Sequence, residues 1–375
     1  RPDRTKIEDT LSGNLCRCTG YRPIIDAALG MHALGEAIEE AKTDWINTCA
    51  GRTTPSSARS ETALAQALAA LKRNGALETT SGDDRFHAPA TIEELAVLRS
   101  RLPQARLLAG GTDIGLWVTK QLREIPQIIA LGRIAALRTI EVGTTHIDIG
   151  AGATVADAAP VLAAHFPELA TVLRRFASPP IRHAATLGGN IANGSPIGDS
   201  MPCLIVLGAR IRLRSTGGTR EMALEDFYLD YQKTALRPDE FVERILVPLP
   251  ARDSHFRAFK LAKRFDQDIS VVLGAFCMRK VEGRVLHCRV AFGGMAATPK
   301  RATACEAALE GQPWHEDSFA IAARELARDF TPIDDMRASA RYRTLAAANL
   351  LRKFYLETSG GEGPTRVEQL TGEDS

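Results

Sequence analysis

Residues 185–199 read Ala185-Thr186-Leu187-Gly188-Gly189-Asn190-Ile191-Ala192-Asn193-Gly194-Ser195-Pro196-Ile197-Gly198-Asp199. Four glycines, two asparagines, a threonine and a serine in 15 residues supply many small hydrogen-bonding groups and allow close backbone approach. That exceeds what an ordinary loop needs, and it suits a pyrophosphate. A related run lies upstream: Leu107-Leu108-Ala109-Gly110-Gly111-Thr112-Asp113-Ile114-Gly115. There a short apolar strand ends in paired glycines and a helix begins. Glycines let amides turn toward an anion, and a helix N-terminus favours a phosphate. The run is neither Gly-x-Gly-x-x-Gly nor a Walker A loop, so by itself it also reads as a tight strand-to-helix turn. The two runs together are more specific than either alone.

Outward from these runs the pattern alternates. Thr91 with Glu94 forms a capping box for a helix ending near Leu102. Arg106–Ala109, Ile128–Leu131, Ile140–Val142, His146–Ile149 and Arg210–Arg214 read as strands, and Thr154 caps a helix over Val155–His165. A further helix is expected over Glu168–Ala177, and a short apolar one after Asp199. From Phe256 the strands Phe256–Ala262, Val271–Lys280 and Val285–Phe292 follow, the last two joined by the turn Glu282-Gly283. Helices at about 301–310, 316–329 and 340–357 close the pattern, before a polar, mobile tail. Upstream, Ile7, Leu11 and Leu15 mark one helix face, and a second helix is expected from Ile24 to Ala41. The expected class is α+β: a short all-helical leader, a two-subdomain α+β module, and a C-terminal α/β subdomain with antiparallel sheet and helices. The boundaries are 1–50, a linker at 51–83, 84–250, 251–358 and the tail 359–375.

Composition limits the alternatives. The chain has 375 residues, is 45% hydrophobic and 25% charged, and carries 47 Lys+Arg against 45 Asp+Glu. It is too apolar for disorder and too evenly charged for nucleic-acid binding as its main task. No run resembles a membrane span, which needs about 20 mostly apolar residues. The 7 cysteines are odd in number and irregular in spacing, which argues against a secreted disulfide framework and for a reducing, cytoplasmic location. The chain begins Arg1-Pro2-Asp3, without Met or signal peptide, as though inside a longer whole.

Two further signals carry chemistry. Cys16-Arg17-Cys18 places two thiols one residue apart at a helix-turn junction, where both could reach one metal centre; two buried structural cysteines are the alternative. The other cysteines form no matching pair, so four cluster ligands are not all here. Lys260-Leu-Ala-Lys-Arg-Phe-Asp-Gln-Asp268 follows an expected strand and otherwise reads as a solvated charged loop. His165, His183 and His255 are isolated, and no acid–base pair stands out as catalytic.

These stretches, in this order, resemble the xanthine dehydrogenase family of molybdenum hydroxylases. The run through Cys16 and Cys18 looks like the end of a [2Fe–2S] domain. The runs from Leu107 and Ala185 look like two FAD-binding loops. Lys260–Asp268, with Phe292-Gly293-Gly294-Met295-Ala296 and Pro299-Lys300-Arg301-Ala302, looks like the C-terminal flavin subdomain. The likeness covers nearly the whole chain except 51–83. It is closest to bacterial small subunits that join iron–sulfur and flavin domains in one polypeptide, with molybdenum in another. The family's ferredoxin-like domain and the Cys-x-x-Cys of its second cluster domain are not in the sequence.

The resemblance implies FAD, [2Fe–2S] clusters and NAD as acceptor, and a molybdenum-cofactor-binding large subunit in a heterotetramer of two small and two large chains. Purine hydroxylation would occur in the partner, and a hydride would leave flavin N5 for NAD, with no catalytic side chain here. Leu108, Ala109, Gly110, Gly111, Thr112, Asp113 and Ile114 would wrap the pyrophosphate and ribitol. Phe176 would lie against the isoalloxazine. Ala185, Thr186, Gly188, Gly189, Asn190, Asn193 and Ser195 would line the phosphate side, Asp199 would hold the adenosine end, and Val242 and Lys260 would close the pocket. Asp113, Arg264 and Asp266 would face NAD, and the loop Arg264–Asp268 would help choose between NAD and O₂. Cys16 and Cys18 would be cluster ligands. A related flavin subunit, of aldehyde oxidoreductase or carbon monoxide dehydrogenase type, is the nearest alternative. A non-catalytic assembly module that has lost its flavin is the alternative from another class.

Overall fold

The computed structural model describes residues 2–12, 20–35, 61–71, 75–360 and 365. Two compact units divide the chain, Arg1–Gly75 and Ala76–Ser375. In the first, helices span Arg4–Leu11, Tyr21–Gly35 and Glu61–Ala70. Asp3 caps the first helix by accepting from the Lys6 amide at 2.7 Å. The second helix begins at Tyr21 rather than Ile24. Its expected end at Ala41, the pair Cys16 and Cys18, residues 51–60 of the expected linker and most of the tail lie outside the described residues.

The second unit is built on three main sheets. β1 (Leu77–Ser81), β2 (Asp84–Ala88), β3 (Arg106–Leu108) and β4 (Gln127–Ala130) form one, in the order β1-β2-β4-β3. β1 and β2 pair antiparallel across the turn at Gly82 and Asp83, while β4 runs parallel to both β2 and β3. β1 therefore occupies residues expected to be linker. β5 (Ile140–Val142), β6 (His146–Gly150), β7 (Arg210–Ser215), β8 (Gly218–Ala223) and β11 (Phe241–Pro248) form an antiparallel sheet ordered β5-β6-β11-β7-β8. A small ribbon pairs β9 (Tyr228–Asp230) with β10 (Lys233–Thr234). β12 (Ser254–Leu261), β13 (Val272–Val281), β14 (Arg284–Gly293) and β15 (Lys300–Arg301) make the last sheet, antiparallel and in chain order.

Local chemistry explains the elements that the sequence announced. Thr91 accepts from the Glu94 amide while the Glu94 carboxylate takes the Ala90 amide at 2.7 Å, so Ile92–Arg101 starts as expected. Thr154 caps Val155–His165 by accepting from the Asp157 amide, while its hydroxyl donates to the Asp157 carboxylate. Helices Thr303–Leu309, Glu316–Asp329 and Ala340–Thr358 cover the last sheet, burying Phe276, Phe292, Phe319 and Phe354 in one core. A second core, under the middle sheet, includes Ile149, Leu162, Leu204 and Ile245. A third, smaller core joins Leu95, Ile129 and Leu137 to Phe241 of β11, so β11 ties the first sheet to the second.

Among the elements that departed from expectation, two bear on the glycine-rich runs and their surroundings. Leu187–Asn193, inside the glycine-rich run, is a helix. Thr186 caps it by accepting from the Gly189 amide at 3.1 Å, and Gly194 ends it in the left-handed region at φ 61°. β11 gave no strand signal because Glu243-Arg244 interrupts its apolar residues. A bulge between Val242 and Arg244 breaks the alternation, and Arg244 is buried against Asp148 and Thr139. No described helix is long and apolar enough to cross a membrane.

Candidate functional site

The two glycine-rich runs meet. β3 delivers Leu108 and the backbone turns at Gly110-Gly111, with Gly111 at φ 71°. Gly110 lies directly on the backbone before the second run: a Cβ there would sit 1.7 Å from the Ala184 carbonyl oxygen. Glycine is thus required at 110 by contact and at 111 by conformation. The helix Ile114–Thr119 follows. The amides of Gly110, Gly111, Thr112, Asp113 and Ile114 donate to no protein acceptor among the described residues. These residues are half-buried, apart from the exposed Asp113. Half-buried amides without acceptors need a polar partner.

The second run is held in place by the segment after β6. The Val155 amide donates to Ala185, the Leu187 amide to Ala153, and the Gly188 amide to Ala151. Gly188 is consequently buried: a Cβ would lie 2.4 Å from that of Ala151, so its role is close packing beneath the run, not lining its outer side. Gly189 and Asn193 are exposed, Ser195 is half-buried, and Asn190 accepts from Ser200 Oγ at 2.6 Å. Ala185 and Thr186 are buried, the latter occupied with its cap.

Asp199, expected to hold the adenosine end, makes its side-chain contacts within the protein. It is buried, with Oδ2 2.6 Å from Lys260 Nζ, and Oδ1 accepts from Ser270 Oγ. Both oxygens are therefore engaged inside the protein. Lys260 Nζ also donates to the Arg175 carbonyl, one residue before Phe176. Sequence reasoning placed Asp199 and Lys260 in the site but not their pairing, and it missed Ser270, whose only signal was its place after the charged loop. Val242 buries its side chain in the middle core and leaves its backbone at the β11 bulge. Phe176 packs half-buried on that same core.

The loop Arg264–Asp268 is stapled by its own acid. Burial works against ionisation of Asp268, but the Arg264 amide and charge and the Ile269 amide outweigh it and hold the carboxyl below its ordinary range. Arg264, Asp266 and Asp113 are exposed. Beside the loop opens a cavity of about 530 Å³, lined by Thr171, Arg175, Lys263, Arg264, Phe265 and Lys353 among others. Neither glycine-rich run lines it. Arg175 stacks over Phe265 at 4.4 Å and donates to its carbonyl.

The described cysteines make poor metal ligands. Burial pushes up the thiols of Cys203, Cys277, Cys288 and Cys305, which keeps them protonated, and a metal is bound by thiolate. Among the described residues no cluster of His, Cys, Asp or Glu could hold a metal ion. The residues at the junction of the runs fit an anionic, extended cofactor such as FAD: uncommitted amides on one run and close-packed glycines on the other.

Comparison with known proteins agrees with this geometry. Residues 79–250 match the family described as the FAD binding domain in molybdopterin dehydrogenase. Residues 257–358 match the CO dehydrogenase flavoprotein C-terminal domain, and residues 1–29 a [2Fe-2S] binding domain. The chain is 28% identical to xanthine dehydrogenase/oxidase of Gallus gallus over 95% of its length, and 28% identical to aldehyde oxidase 1 of Bos taurus over 96%. It spans 30% of each of those relatives. Among solved structures, a chain of carbon monoxide dehydrogenase from Hydrogenophaga pseudoflava is 30% identical with a TM-score of 0.68, covering 72% of this chain and 94% of its own. Quinoline 2-oxidoreductase from Pseudomonas putida 86 matches at 25% identity and TM-score 0.66, covering 72% and 95%. The chain belongs to the molybdenum hydroxylase family, as one of its FAD-binding chains, with a [2Fe–2S]-binding segment at its start.

Proposed function

We propose that this chain serves a xanthine dehydrogenase as its iron–sulfur and flavin subunit. Purine oxidation would take place on a separate molybdenum-containing chain, two copies of each forming the enzyme, with NAD as electron acceptor in the cytoplasm. The observation that carries the flavin assignment is the meeting of the two glycine-rich runs at Gly110 and Ala184, beside amides that have no acceptor among the described residues. Bound FAD would supply the hydride and electron transfer, which no side chain provides.

The chain's own residues bind, orient and shield. Amides from Gly110 to Ile114 would take the pyrophosphate, and Gly189, Asn193 and Ser195 would line its other side. Phe176 would pack on the flavin ring and keep water from it. Lys260 and Asp199, paired to each other, would hold the wall of the site. Cys16 and Cys18 would give two thiolates to a [2Fe–2S] cluster. The basic lining of the 530 Å³ cavity, with Arg175, Lys263, Arg264 and Lys353, suits a phosphorylated acceptor such as NAD beside the loop Arg264–Asp268.

Curated xanthine dehydrogenases align with this chain from its iron–sulfur segment through its flavin domains, which supports the purine reading. The 30% identity to a carbon monoxide dehydrogenase chain and the likeness to aldehyde oxidase support a second reading, a flavin subunit of one of those types. The test is the assembled enzyme, assayed with xanthine, an aldehyde and carbon monoxide in turn, each with NAD or O₂ as acceptor. NADH formation with xanthine supports the first reading; turnover with only an aldehyde or carbon monoxide replaces it by the second.

A further inference from the structure

The backbone around Phe176 is gripped by cations. The helix Pro167–Arg174 ends just before Phe176, leaving carbonyls without helical partners. Four successive carbonyls are taken by two buried side chains. Arg182 Nη1 lies 2.7 Å from the Arg174 oxygen, 3.2 Å from that of Phe176 and 2.9 Å from that of Ala177. Lys260 Nζ takes the Arg175 oxygen at 3.0 Å. Arg182 itself is 7% exposed, although it belongs to the short helix Pro179–Ala184, whose Ile181 and His183 are exposed. A buried guanidinium nitrogen facing three backbone carbonyls fixes that backbone.

The gripped conformation is not one the sequence would choose. Ala177 has φ 48°, in the left-handed region, and it is followed by Ser178-Pro179-Pro180. An alanine there is strained, and it persists only where its surroundings over-determine it. The Ala177 carbonyl is one of the three that face Arg182. Without that cation, the helix-end carbonyls would lose a favourable charge and Ala177 would relax to an ordinary φ. Either change moves Phe176, because the strained peptide is the next one along.

We infer that Arg182 is a positioning residue for Phe176: it holds the Arg174–Ala177 turn in a strained form that sets the ring against the cofactor. The inference rests on the reading of Phe176 as the flavin-facing residue. Arg182 touches the cofactor nowhere in this account and acts through the backbone of another residue.

A double-mutant cycle on the full chain tests it, with FAD affinity read from flavin fluorescence quenching and ring environment from visible circular dichroism of bound FAD. Thermal unfolding of the apoprotein is recorded alongside. Arg182→Gln is expected to weaken FAD binding about tenfold, as loss of hydrogen bonds from a charged donor would. It should also change the visible dichroism. Phe176→Leu should do the same, and Arg182→Gln added to Phe176→Leu should weaken binding by less than about twofold more, because both act through one ring. Arg182→Lys, which keeps the charge without the fork, takes its place in the cycle if the Gln variant does not fold. Full additivity of the two substitutions, or a variant with unchanged affinity and dichroism, overturns the inference and leaves the flavin assignment standing. A wild-type chain that takes up no FAD overturns the flavin assignment, and the inference falls with it.

Discussion

Gly110 shows how much a single residue decides in this molecule. Its Cα–H faces the Ala184 carbonyl at a distance no side chain tolerates. Gly110→Ala must therefore part the two runs or bend one of them. Overpacking of this kind costs about 1–3 kcal/mol. The larger effect belongs to the ligand, since both walls of the site shift. FAD affinity measured by fluorescence quenching should fall at least tenfold, and an unchanged affinity would mean that the junction is not the site. Lys260 makes a different case. Lys260→Met leaves Asp199 buried with Ser270 as its remaining side-chain donor. Breaking a buried pair from one side costs about 3–5 kcal/mol, whereas replacing both partners by apolar residues costs far less. Chemical denaturation should find Lys260→Met much less stable than wild type, and Lys260→Met with Asp199→Leu closer to it. Equal losses in the two variants would show that the pair contributes little.

At the scale of elements, the helix Leu187–Asn193 depends on its ends. Two glycines stand in its first turn, and each weakens a helix by about 1 kcal/mol relative to alanine. The Thr186 cap compensates in part, so Thr186→Ala should cost about 1 kcal/mol in global unfolding and loosen this helix first. Hydrogen exchange of the Gly189 and Asn190 amides would detect it; unchanged protection there would count against the cap. The same helix shows why the sequence was only partly legible. Its glycines announced a ligand loop, and they hid a helix whose signals were a threonine before it and Gly194 after it. β11 was hidden by charge: Arg244 reads as surface, but it is buried because Asp148 and Thr139 meet it from neighbouring elements. No local pattern reveals a partner 96 residues away in the chain. By contrast, capped helices and apolar strands bounded by turn residues, such as Ile92–Arg101 and β13, depend on neighbours in sequence and were readable. Composition pointed to the two runs, and the resemblance added Phe176, Asp199 and Lys260 as expected site residues. That Gly188 serves packing, that Asp199 pairs inward and that Arg182 grips the Phe176 turn required three dimensions.

At the scale of the whole second unit, three cores are joined by a few polar ties. Arg289 reaches from the last sheet to the Ile205 carbonyl and to Glu225, and Arg301 joins Glu225 to Glu306. Arg343, fully buried, takes the carbonyls of Val271 and Gly294 and the carboxylate of Asp335. Burial alone would raise the Asp335 carboxyl. The Arg337 and Ala338 amides and the Arg343 guanidinium outweigh it and hold the group down, from an ordinary 3.8 to about 2. Because the folded value lies below the unfolded one, the contribution is complete above about pH 5 and is lost as pH falls from about 4 to 2. It is on the order of 1–2 kcal/mol once solvent screening is allowed for. Melting temperature followed from pH 6 to pH 2 should fall more steeply for wild type than for Asp335→Asn; parallel curves would remove Asp335 as a source of acid sensitivity.

If the junction of the two glycine-rich runs binds FAD, a titration of the apoprotein will show it. Apoprotein, wild type and Gly110→Ala, would be titrated with FAD while flavin fluorescence and the visible spectrum are recorded. Saturable uptake of one FAD per wild-type chain, with perturbed flavin bands, is expected, and binding weakened at least tenfold in the variant. Absence of uptake by the wild type, or equal uptake by both proteins, would contradict it.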